Sequence, residues 1–284
     1  MAFLEFKDMR IAGFSAGVPK YVAVNDTVAS KDYAAADFVA TTGVKERRIG
    51  DFTTSDLCYE AAERLLSDLQ WRKEEVGALI FVSQTADYIL PATACILQDR
   101  LGLSKECYAL DVALGCSGWV YGLSVIAGLL SKEGITKALL LAGDAKKRAQ
   151  GASDPLFGHA GTVTAVEYSE GAAGFKFHVG TDGSGFDAII TPDGGSRNQF
   201  TEDSLKLIQD SDGVTRHRLQ TVMKGMDVFA FGITTVPKTV KKLLEKHQIS
   251  IDSIDYFVFH QANKMMNEKI RKKLKLSEEK VPYC

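Results

Sequence analysis

Residues 57–107 read LCYEAAERLLSDLQWRKEEVGALIFVSQTADYILPATACILQDRLGLSKEC, and residues 234–284 read TTVPKTVKKLLEKHQISIDSIDYFVFHQANKMMNEKIRKKLKLSEEKVPYC. Both stretches have the same order of features: an amphipathic helix, an apolar strand, a polar pair, and a second helix that ends in RLGLS or KLKLS. The strands are predicted at Ala78–Val82 and Tyr256–Phe259. Helices that alternate with apolar strands are typical of α/β proteins with buried sheets. The duplication therefore predicts two related α/β halves about a pseudo-two-fold axis; the alternative is chance similarity between two ordinary αβα units.

The repeat also predicts how the chain is divided. We expect an N-terminal half over residues 1–173 and a C-terminal half over residues 174–284. The first helices of the two copies are predicted around Ala61–Leu69 and Val236–Lys246. After RLGLS the first copy continues into a strand at Tyr108–Ala113, whereas the second copy ends soon after KLKLS. This difference predicts that the second half is truncated at its C-terminus and belongs to a longer functional protein.

Composition narrows the class of protein. The chain has 284 residues, of which 45% are hydrophobic and 25% charged, as in ordinary soluble globular proteins. The formal net charge of −2 gives no reason to expect a nucleic-acid partner. The five cysteines are odd in number and form no CxxC pair, so neither a disulfide framework nor a zinc site is expected. A reducing cytoplasm fits this cysteine usage.

One uncharged stretch raises the question of a membrane span. Residues 112–131, VALGCSGWVYGLSVIAGLLS, are long enough to cross a bilayer. The stretch also holds four glycines and three serines, and charged residues stand at both of its ends. These features favour a buried strand, turn and helix in a large core, and no membrane association is predicted.

Cys116 is the first candidate catalytic residue, because it falls between the strand and the helix of this stretch. Apolar residues recur at helical spacing after it, so the helix is predicted to start near Ser117. Unpaired N–H groups and the helix dipole at such a start stabilise a thiolate, and they can hold the oxyanion of a thioester under attack. We therefore expect a lowered pKa for Cys116 and expect it to be the only fast-reacting thiol. The alternative is a buried structural cysteine.

His260 is the second candidate. It follows the predicted strand Tyr256–Phe259, and the run HQAN then opens a helix. A histidine at the C-terminal end of a buried strand points into the crevice where α/β proteins place their ligands. Neutral imidazole can donate a hydrogen bond to a thioester carbonyl or accept a proton. A capping or core histidine is the alternative, and the duplication favours the functional interpretation, because it pairs the His260 element with the one that precedes Cys116.

Other motifs have simpler interpretations. The remaining histidines show no metal-ligand spacing, and no metal site or cofactor is predicted. The glycine-rich run GTDGSG at 180–185 lacks a following GK[ST], so it is interpreted as a turn or a tunnel wall. A basic cluster on the last helix is either a solvated face or a dock for an acidic carrier protein. Its members are Lys269, Arg271, Lys272, Lys273 and Lys275.

Several motifs together resemble one known family. ALDVALGCSGWVYGL around Cys116 resembles the nucleophile segment of β-ketoacyl-acyl-carrier-protein synthase III, and FVFHQAN at 257–263 resembles its histidine motif. ILPATACILQDRLGL, GTDGSGFDAIITPDGGSR and MKGMDVFAFG match further family segments in the same order. The resemblance extends over essentially the whole chain.

The resemblance implies a thiolase fold, with two pseudo-duplicated αβα halves in α/β/α/β/α layers, and a homodimer. It implies that Cys116 takes an acyl group from a carrier-bound or coenzyme A thioester. His260 would then help decarboxylate a malonyl-type extender on acyl carrier protein, and condensation would form a 3-oxoacyl thioester. Substrate contacts are implied within the matching motifs at Gln261, Asn263, Leu90 and Phe231.

The sequence departs from the family where the donor would bind. Asp37 and Thr41 replace a tryptophan and an arginine that grip adenine, and Gly151 replaces a phosphate-binding arginine. The usual FGDG reads FGHA at 157–160, and Met265 stands where a basic docking residue is usual. These departures favour carrier-protein thioesters over coenzyme A thioesters. The Gly-Asn-Thr loop, whose asparagine normally works with the histidine, does not occur in the 284 residues.

Two other functions remain open from the sequence. A thiolase-fold acyltransferase would use Cys116 to pass acyl groups to an alcohol or amine without decarboxylation. A non-catalytic thiolase-fold subunit would instead bind or stabilise a partner protein. Acylation of Cys116 distinguishes either enzyme from the binding subunit, and malonyl-dependent release of carbon dioxide distinguishes the two enzymes.

Overall fold

The structure, a computed structural model, describes residues 2–25, 35–145, 155–209 and 214–283. Its helices are α1 (Ala35–Thr42), α2 (Thr54–Asp68), α3 (Thr93–Arg100), α4 (Gly118–Leu129), α5 (Gly225–His247) and α6 (Lys264–Leu274). Its strands are β1 (Ala2–Phe6), β2 (Met9–Gly17), β3 (Tyr21–Val24), β4 (Glu46–Ile49), β5 (Ala78–Val82), β6 (Tyr108–Val112), β7 (Lys137–Asp144), β8 (Ala160–Tyr168), β9 (Phe175–Val179), β10 (Ile189–Ile190), β11 (Ile208–Gln209), β12 (Thr215–Arg216) and β13 (Val222–Met223).

A mixed five-stranded sheet has the order β2-β8-β7-β5-β6. β5 pairs in parallel with both β6 and β7, while β8 runs antiparallel to β7 and β2. All residues of β5 are buried, which explains why the predicted strand Ala78–Val82 has the observed bounds. The strand predicted at Tyr108–Ala113 is also confirmed and ends one residue earlier, at Val112.

Helices cover both faces of this sheet. Because successive side chains of a strand point to opposite faces, Leu79 and Phe81 pack in one core cluster with α2 and α3. Ile80 packs in a second cluster with α4. β1 and β9 form an antiparallel pair, and Phe6 and Phe177 of that pair belong to the second cluster too. The order of layers is therefore α2 and α3, the sheet, α4, and the β1–β9 pair.

Two glycines allow α4 to lie close to the sheet. A Cβ atom on Gly122 would stand 2.5 Å from Leu140 Cδ1 and 2.8 Å from Val82 Cγ2. A Cβ atom on Gly118 would stand 2.5 Å from Val82 Cγ1. Real Cβ atoms do not approach other atoms this closely, so the glycines set the distance between α4 and β5. The N-terminus of α4 is thereby held near the end of β5.

The chain forms two compact units. The first comprises the described residues of Ala2–Val179 and Val258–Met265, together with Tyr283. The second comprises the described residues of Gly180–Phe257 and Met266–Pro282. The division into halves at 1–173 and 174–284 stays a prediction.

Within the second unit, α5 contains the predicted helix Val236–Lys246. α5 also lies close to Met266 of α6, since a Cβ atom on Gly232 would stand 2.6 Å from the sulfur of Met266. The run GTDGSG forms a turn, in which the Ser184 backbone N–H donates to the Asp182 carboxylate at 3.0 Å. This agrees with the interpretation of GTDGSG as a turn.

The strand predicted at Tyr256–Phe259 is wrong. Among the residues that the structure describes, no strand pairs with this segment, and Tyr256 and Val258 are exposed. The Phe257 N–H instead donates to the Lys280 carbonyl oxygen at 2.8 Å. A β-strand is stabilised by backbone partners in a neighbouring strand, and the apolar pattern of this segment cannot supply them.

The uncharged stretch 112–131 forms the end of β6, a turn and α4, with its helix packed in the core as predicted. No helix in the described ranges combines the length and the apolar character that a bilayer crossing requires.

Candidate active site

Cys116 lies in the turn between β6 and α4. The turn is closed by two backbone hydrogen bonds: the Leu114 N–H donates to the Val112 carbonyl at 2.9 Å, and the Gly118 N–H donates to the Gly115 carbonyl at 2.7 Å. Ser117 is the N-cap, so the helix begins where the apolar spacing predicts. Cys116 is exposed in this position, which is inconsistent with a buried structural cysteine.

The expected lowering of the Cys116 pKa is wrong. Although the side chain is accessible, the protein around the sulfur excludes enough of the water that would solvate the thiolate to raise the pKa of the thiol. The backbone N–H of Cys116 itself lowers the pKa, and the carboxylate of Asp144 raises it. The raising effects are larger in sum than the effect of the N–H group. Because the thiol is therefore protonated at neutral pH, its reaction as a nucleophile requires a proton acceptor.

The side chain of Gln84 lies against the backbone next to the nucleophile. A Cβ atom on Gly115 would stand 2.7 Å from Oε1 of Gln84 and 2.8 Å from its Cδ. Any residue larger than glycine at position 115 would have to displace this carboxamide. The absence of a side chain at Gly115 therefore allows the Gln84 carboxamide to approach the Cys116 turn closely.

Asp144, the last residue of β7, organises the segment that follows β5. Its Oδ1 atom accepts hydrogen bonds from the Ser83 hydroxyl at 3.0 Å, the Gln84 backbone N–H at 2.9 Å and the Thr85 hydroxyl at 3.1 Å. Hydrogen bonds to an ionised acceptor are about twice as strong as those between neutral groups. Asp144 therefore fixes the backbone of Gln84 beside the Cys116 turn.

Sequence reasoning missed Gln84 and Asp144 as residues of the site. Ser83 and Gln84 stood out only as the polar pair that ends an apolar strand. Asp144 ends the apolar run KALLLAGD in the same way. Polar residues at the C-terminal ends of neighbouring parallel strands meet at one edge of a sheet. That pattern could have indicated that Ser83, Gln84 and Asp144 lie close together.

His260 belongs to the same compact unit as Cys116. Its side chain is exposed, yet the surrounding protein excludes enough water to lower the pKa of the imidazole below its ordinary value. The ring is therefore neutral at neutral pH, as a proton acceptor or a neutral hydrogen-bond donor must be. In the described part of the chain, no hydrogen bond joins His260 to Cys116. The His260 carbonyl oxygen accepts the Ala262 N–H at 2.9 Å, which shapes the turn before α6.

The four residues implied as substrate contacts have different surroundings. Gln261 donates a side-chain hydrogen bond to the Phe259 carbonyl oxygen at 3.0 Å, and Asn263 immediately precedes α6. Leu90 is 83% exposed on the segment after β5, in the first unit. Phe231 is 55% exposed on α5, in the second unit. Their contacts with a substrate stay a prediction.

The residues predicted to replace the family's donor-binding groups are accessible where the structure describes them. Asp37 and Thr41 are exposed on α1, and Met265 is exposed on α6. Gly151 lies outside the described residues. His159 has a ring nitrogen 3.0 Å from the Gly50 carbonyl oxygen, so it packs against the neighbouring turn.

The basic cluster of α6 and the residue after it is not uniform. The lysines at 269, 272, 273 and 275 are exposed. Arg271 is buried, and its guanidinium pairs with Glu268 at 2.7 Å and Glu278 at 3.1 Å. Arg271 therefore stabilises the end of α6, and only the lysines are placed to meet an acidic partner. In the described ranges no cluster of three or more His, Cys, Asp or Glu side chains could hold a metal ion.

Comparisons with known proteins show the family that this chain resembles. Residues 110–183 match the family model for 3-oxoacyl-[acyl-carrier-protein] synthase III, and residues 244–284 match the model for its C-terminal part. Similar relatives include β-ketoacyl-[acyl-carrier-protein] synthase III of Fusobacterium nucleatum, at 32% identity over 95% of this chain and 82% of the relative. Another is β-ketoacyl-[acyl-carrier-protein] synthase III 2 of Bacillus subtilis, at 34% identity over 85% of this chain and 73% of the relative.

Solved structures show the same similarity. The crystal structure of a 3-oxoacyl-(acyl-carrier protein) synthase from Burkholderia xenovorans superimposes with a TM-score of 0.89 and 36% identity. That match covers 100% of this chain and 82% of the other. The expected fold is therefore confirmed.

Proposed function

The chain belongs to the 3-oxoacyl-[acyl-carrier-protein] synthase III family of thiolase-fold condensing enzymes, and from this premise we propose that Cys116 is the acyl-carrying nucleophile and that His260 assists condensation. The observation that carries the proposal is the position of Cys116, exposed in the glycine-flanked turn that precedes α4. A backbone N–H beside the sulfur favours its anionic form and can also stabilise the oxyanion of a thioester under attack.

In the first step, the Cys116 sulfur attacks the carbonyl carbon of an acyl thioester. A new carbon–sulfur bond forms, and the bond to the carrier sulfur breaks. The carrier leaves as a thiol after its sulfur takes up the proton that Cys116 gave to His260, which returns the imidazole to its neutral form. The thiol proton of Cys116 must be removed, because its pKa is raised. The neutral imidazole of His260 is the acceptor that we propose, since its lowered pKa keeps a ring nitrogen lone pair available at neutral pH.

In the second step, a malonyl-type extender loses carbon dioxide. The electrons of the broken carbon–carbon bond form an enolate, which is stabilised when His260 donates a hydrogen bond to its oxygen. The enolate carbon attacks the acyl carbonyl carbon, and the Cys116 sulfur leaves as a thiolate, which takes a proton from solvent because its pKa is raised. The product is a 3-oxoacyl thioester on the extender's carrier, and the enzyme returns to its free form.

We propose acyl carrier protein as the carrier in both steps. The exposed lysines at 264, 269, 272 and 273 offer positive charge to an acidic partner. Asp37 places a carboxylate where the family grips a nucleotide, which disfavours the phosphates of coenzyme A. We also propose a cytoplasmic location, because the four described cysteines are free thiols.

A homodimer is part of the proposal. β6 is the last strand of the five-stranded sheet, and Tyr108 and Leu110 of β6 are exposed. An edge strand with unpaired backbone groups and exposed apolar side chains is suited to pair with a second copy. Sedimentation of the purified protein measures the oligomeric state, and a monomer at micromolar concentration would exclude this part of the proposal.

Intact-mass analysis tests the proposed function. The protein is incubated with one acyl group on acyl carrier protein and, separately, on coenzyme A. We expect an acyl adduct that Cys116→Ala abolishes and that Cys95→Ser, a change at another exposed cysteine, leaves unaltered. We expect the carrier-protein thioester to react about tenfold faster or more, since loss of one charge-assisted contact costs about 1.5–3 kcal/mol.

Release of carbon dioxide from a malonyl thioester then tests condensation. Release that depends on prior acylation supports a condensing enzyme. Acylation without release would instead indicate an acyltransferase that passes the group to an alcohol or amine. Absence of any adduct on Cys116 would indicate a non-catalytic partner subunit.

A further inference from the structure

Gln84 combines a fixed backbone with an exposed side chain beside the nucleophile. Its backbone N–H donates to Asp144 Oδ1 at 2.9 Å, and that oxygen also holds the neighbouring Ser83 and Thr85 hydroxyls. Its carboxamide lies against Gly115, where a methyl group in place of the glycine hydrogen would meet Oε1 at 2.7 Å and Nε2 at 3.1 Å. The contacts with Asp144 and Gly115 therefore hold the amide against the residue that precedes Cys116.

The carboxamide itself has capacity to bind a ligand. Gln84 is exposed, and within residues 2–25, 35–145, 155–209 and 214–283 no protein group hydrogen bonds to its side chain. The side chain retains two N–H donors and an oxygen acceptor.

We propose that Gln84 is a specificity residue that contacts the acyl group on Cys116 and selects acyl groups with a hydroxyl or oxo oxygen near the thioester carbon. This inference rests on the proposed acylation of Cys116. A saturated acyl group would cover the amide without replacing its hydrogen bonds to water, and leaving a buried polar group unpaired is unfavourable. An acyl group with an oxygen at that place supplies the missing partner. Sites that hydrogen bond a substrate oxygen reject analogues that lack it more strongly than apolar pockets reject a size difference.

The experiment compares 3-hydroxybutyryl and butyryl thioesters of N-acetylcysteamine, which have the same chain length and the same small carrier. Acylation rates of Cys116 are measured by intact mass for the unaltered protein, for Gln84→Met and for Gln199→Met. Gln84→Met keeps the length of the side chain and removes its polar atoms. Gln199 is an exposed glutamine in the second unit, so its change is the matched control.

We expect the unaltered protein and Gln199→Met to react about tenfold faster with the 3-hydroxybutyryl ester. We expect Gln84→Met to lose this preference mainly by reacting faster with the butyryl ester. Equal rates in the unaltered protein, or a preference that survives in Gln84→Met, would overturn the inference and leave the proposed function intact. No adduct on Cys116 with either ester, where the acyl-carrier-protein thioester also gives none, would overturn the proposed function, and this inference with it. No adduct with either ester, where the acyl-carrier-protein thioester does acylate Cys116, would overturn this inference alone. If Gln84→Met does not fold, equal acylation rates for the two esters in the unaltered protein still overturn the inference.

Discussion

The Ser83 hydroxyl donates a hydrogen bond to Asp144 Oδ1 at 3.0 Å, which joins the segment after β5 to the last residue of β7. The same carboxylate fixes the backbone of Gln84 and raises the pKa of Cys116. One carboxylate at the edge of the sheet thus has two effects on the site. It orders the segment beside the nucleophile, and it opposes formation of the thiolate before a substrate binds.

Asp144→Asn separates these two effects. Asparagine keeps a side-chain oxygen for the hydrogen bonds from Ser83 and Gln84 but removes the negative charge. Because that charge raises the pKa of Cys116, its removal lowers the pKa, and the reactive thiolate forms at lower pH. We expect the pH profile of Cys116 alkylation to move to lower pH, while Asp99→Asn, a change at an exposed residue of α3, leaves it unchanged. An unchanged profile in Asp144→Asn would exclude this electrostatic effect.

The thiols differ in ways that the sequence did not predict. Burial raises the pKa of Cys58 to about 12 and that of Cys107 to about 11, so both should react slowly. Cys95 is exposed on α3, and Cys116 is exposed but has a raised pKa. We therefore expect mild alkylation at pH 7 to label Cys95 at least as fast as Cys116, contrary to the expectation of a single fast thiol. Peptide mapping checks this order.

An acyl thioester should behave differently from an alkylating agent. Its reaction requires stabilisation of an oxyanion as well as a thiol, and only Cys116 lies at the start of α4. Peptide mapping after acylation should place the adduct on Cys116 alone. Acylation of Cys95 at a comparable rate would show that exposure, and not the site, determines the reaction.

Two glycines of α4 give a matched pair for testing how the helix is packed. Gly122→Ala places a methyl group 2.5 Å from Leu140 Cδ1 in the core, and such overpacking costs about 1–3 kcal/mol. Gly128→Ala meets nothing closer than 3.9 Å, at Phe6, and alanine favours a helix over glycine by about 0.5–1 kcal/mol. We expect urea unfolding to show a loss of stability for Gly122→Ala and none for Gly128→Ala. Equal stability of the two variants would contradict the close packing of α4 on β5.

Local sequence patterns predicted the elements whose stability depends on their own residues. Ala78–Val82 is apolar at every position and buried at every position, so its bounds follow from the sequence. The helix after Cys116 follows from the spacing of its apolar residues. Tyr256–Phe259 has an equally apolar pattern, but a strand also requires a neighbour, and the sequence of a segment does not contain that information.

The chemistry of the site was predicted less completely, for the same physical reason. The position of Cys116 at a helix start is a local feature, and it was found. Its pKa depends on water exclusion and on Asp144, which reaches it from another strand of the sheet. The placement of Gln84 over Gly115 likewise depends on contacts between two elements. Predicting such effects requires knowledge of which strands are neighbours in the sheet.

The raised pKa of Cys116 determines the outcome that we expect for His260→Ala. If the helix start alone formed the thiolate, acylation would continue in this variant and only condensation would fail. Since the thiol is protonated at neutral pH, we expect loss of the imidazole to slow acylation as well. Raising the pH through the pKa of Cys116 should restore acylation, because solvent hydroxide then forms the thiolate. Condensation should stay slower by about 100- to 1000-fold at every pH, because the donor to the enolate oxygen is still missing.

The measurement follows acyl-enzyme formation and carbon dioxide release from pH 6 to about pH 11, since unperturbed thiols ionise near 8.5 and the pKa of Cys116 is raised. His247→Ala is the control, because His247 lies near the end of α5 in the second unit. The control should retain the pH profiles of the unaltered protein in both assays. If acylation by His260→Ala is normal at pH 7, His260 is not the proton acceptor. If its acylation stays slow at high pH, His260 acts on the acyl donor itself and not through the thiol of Cys116.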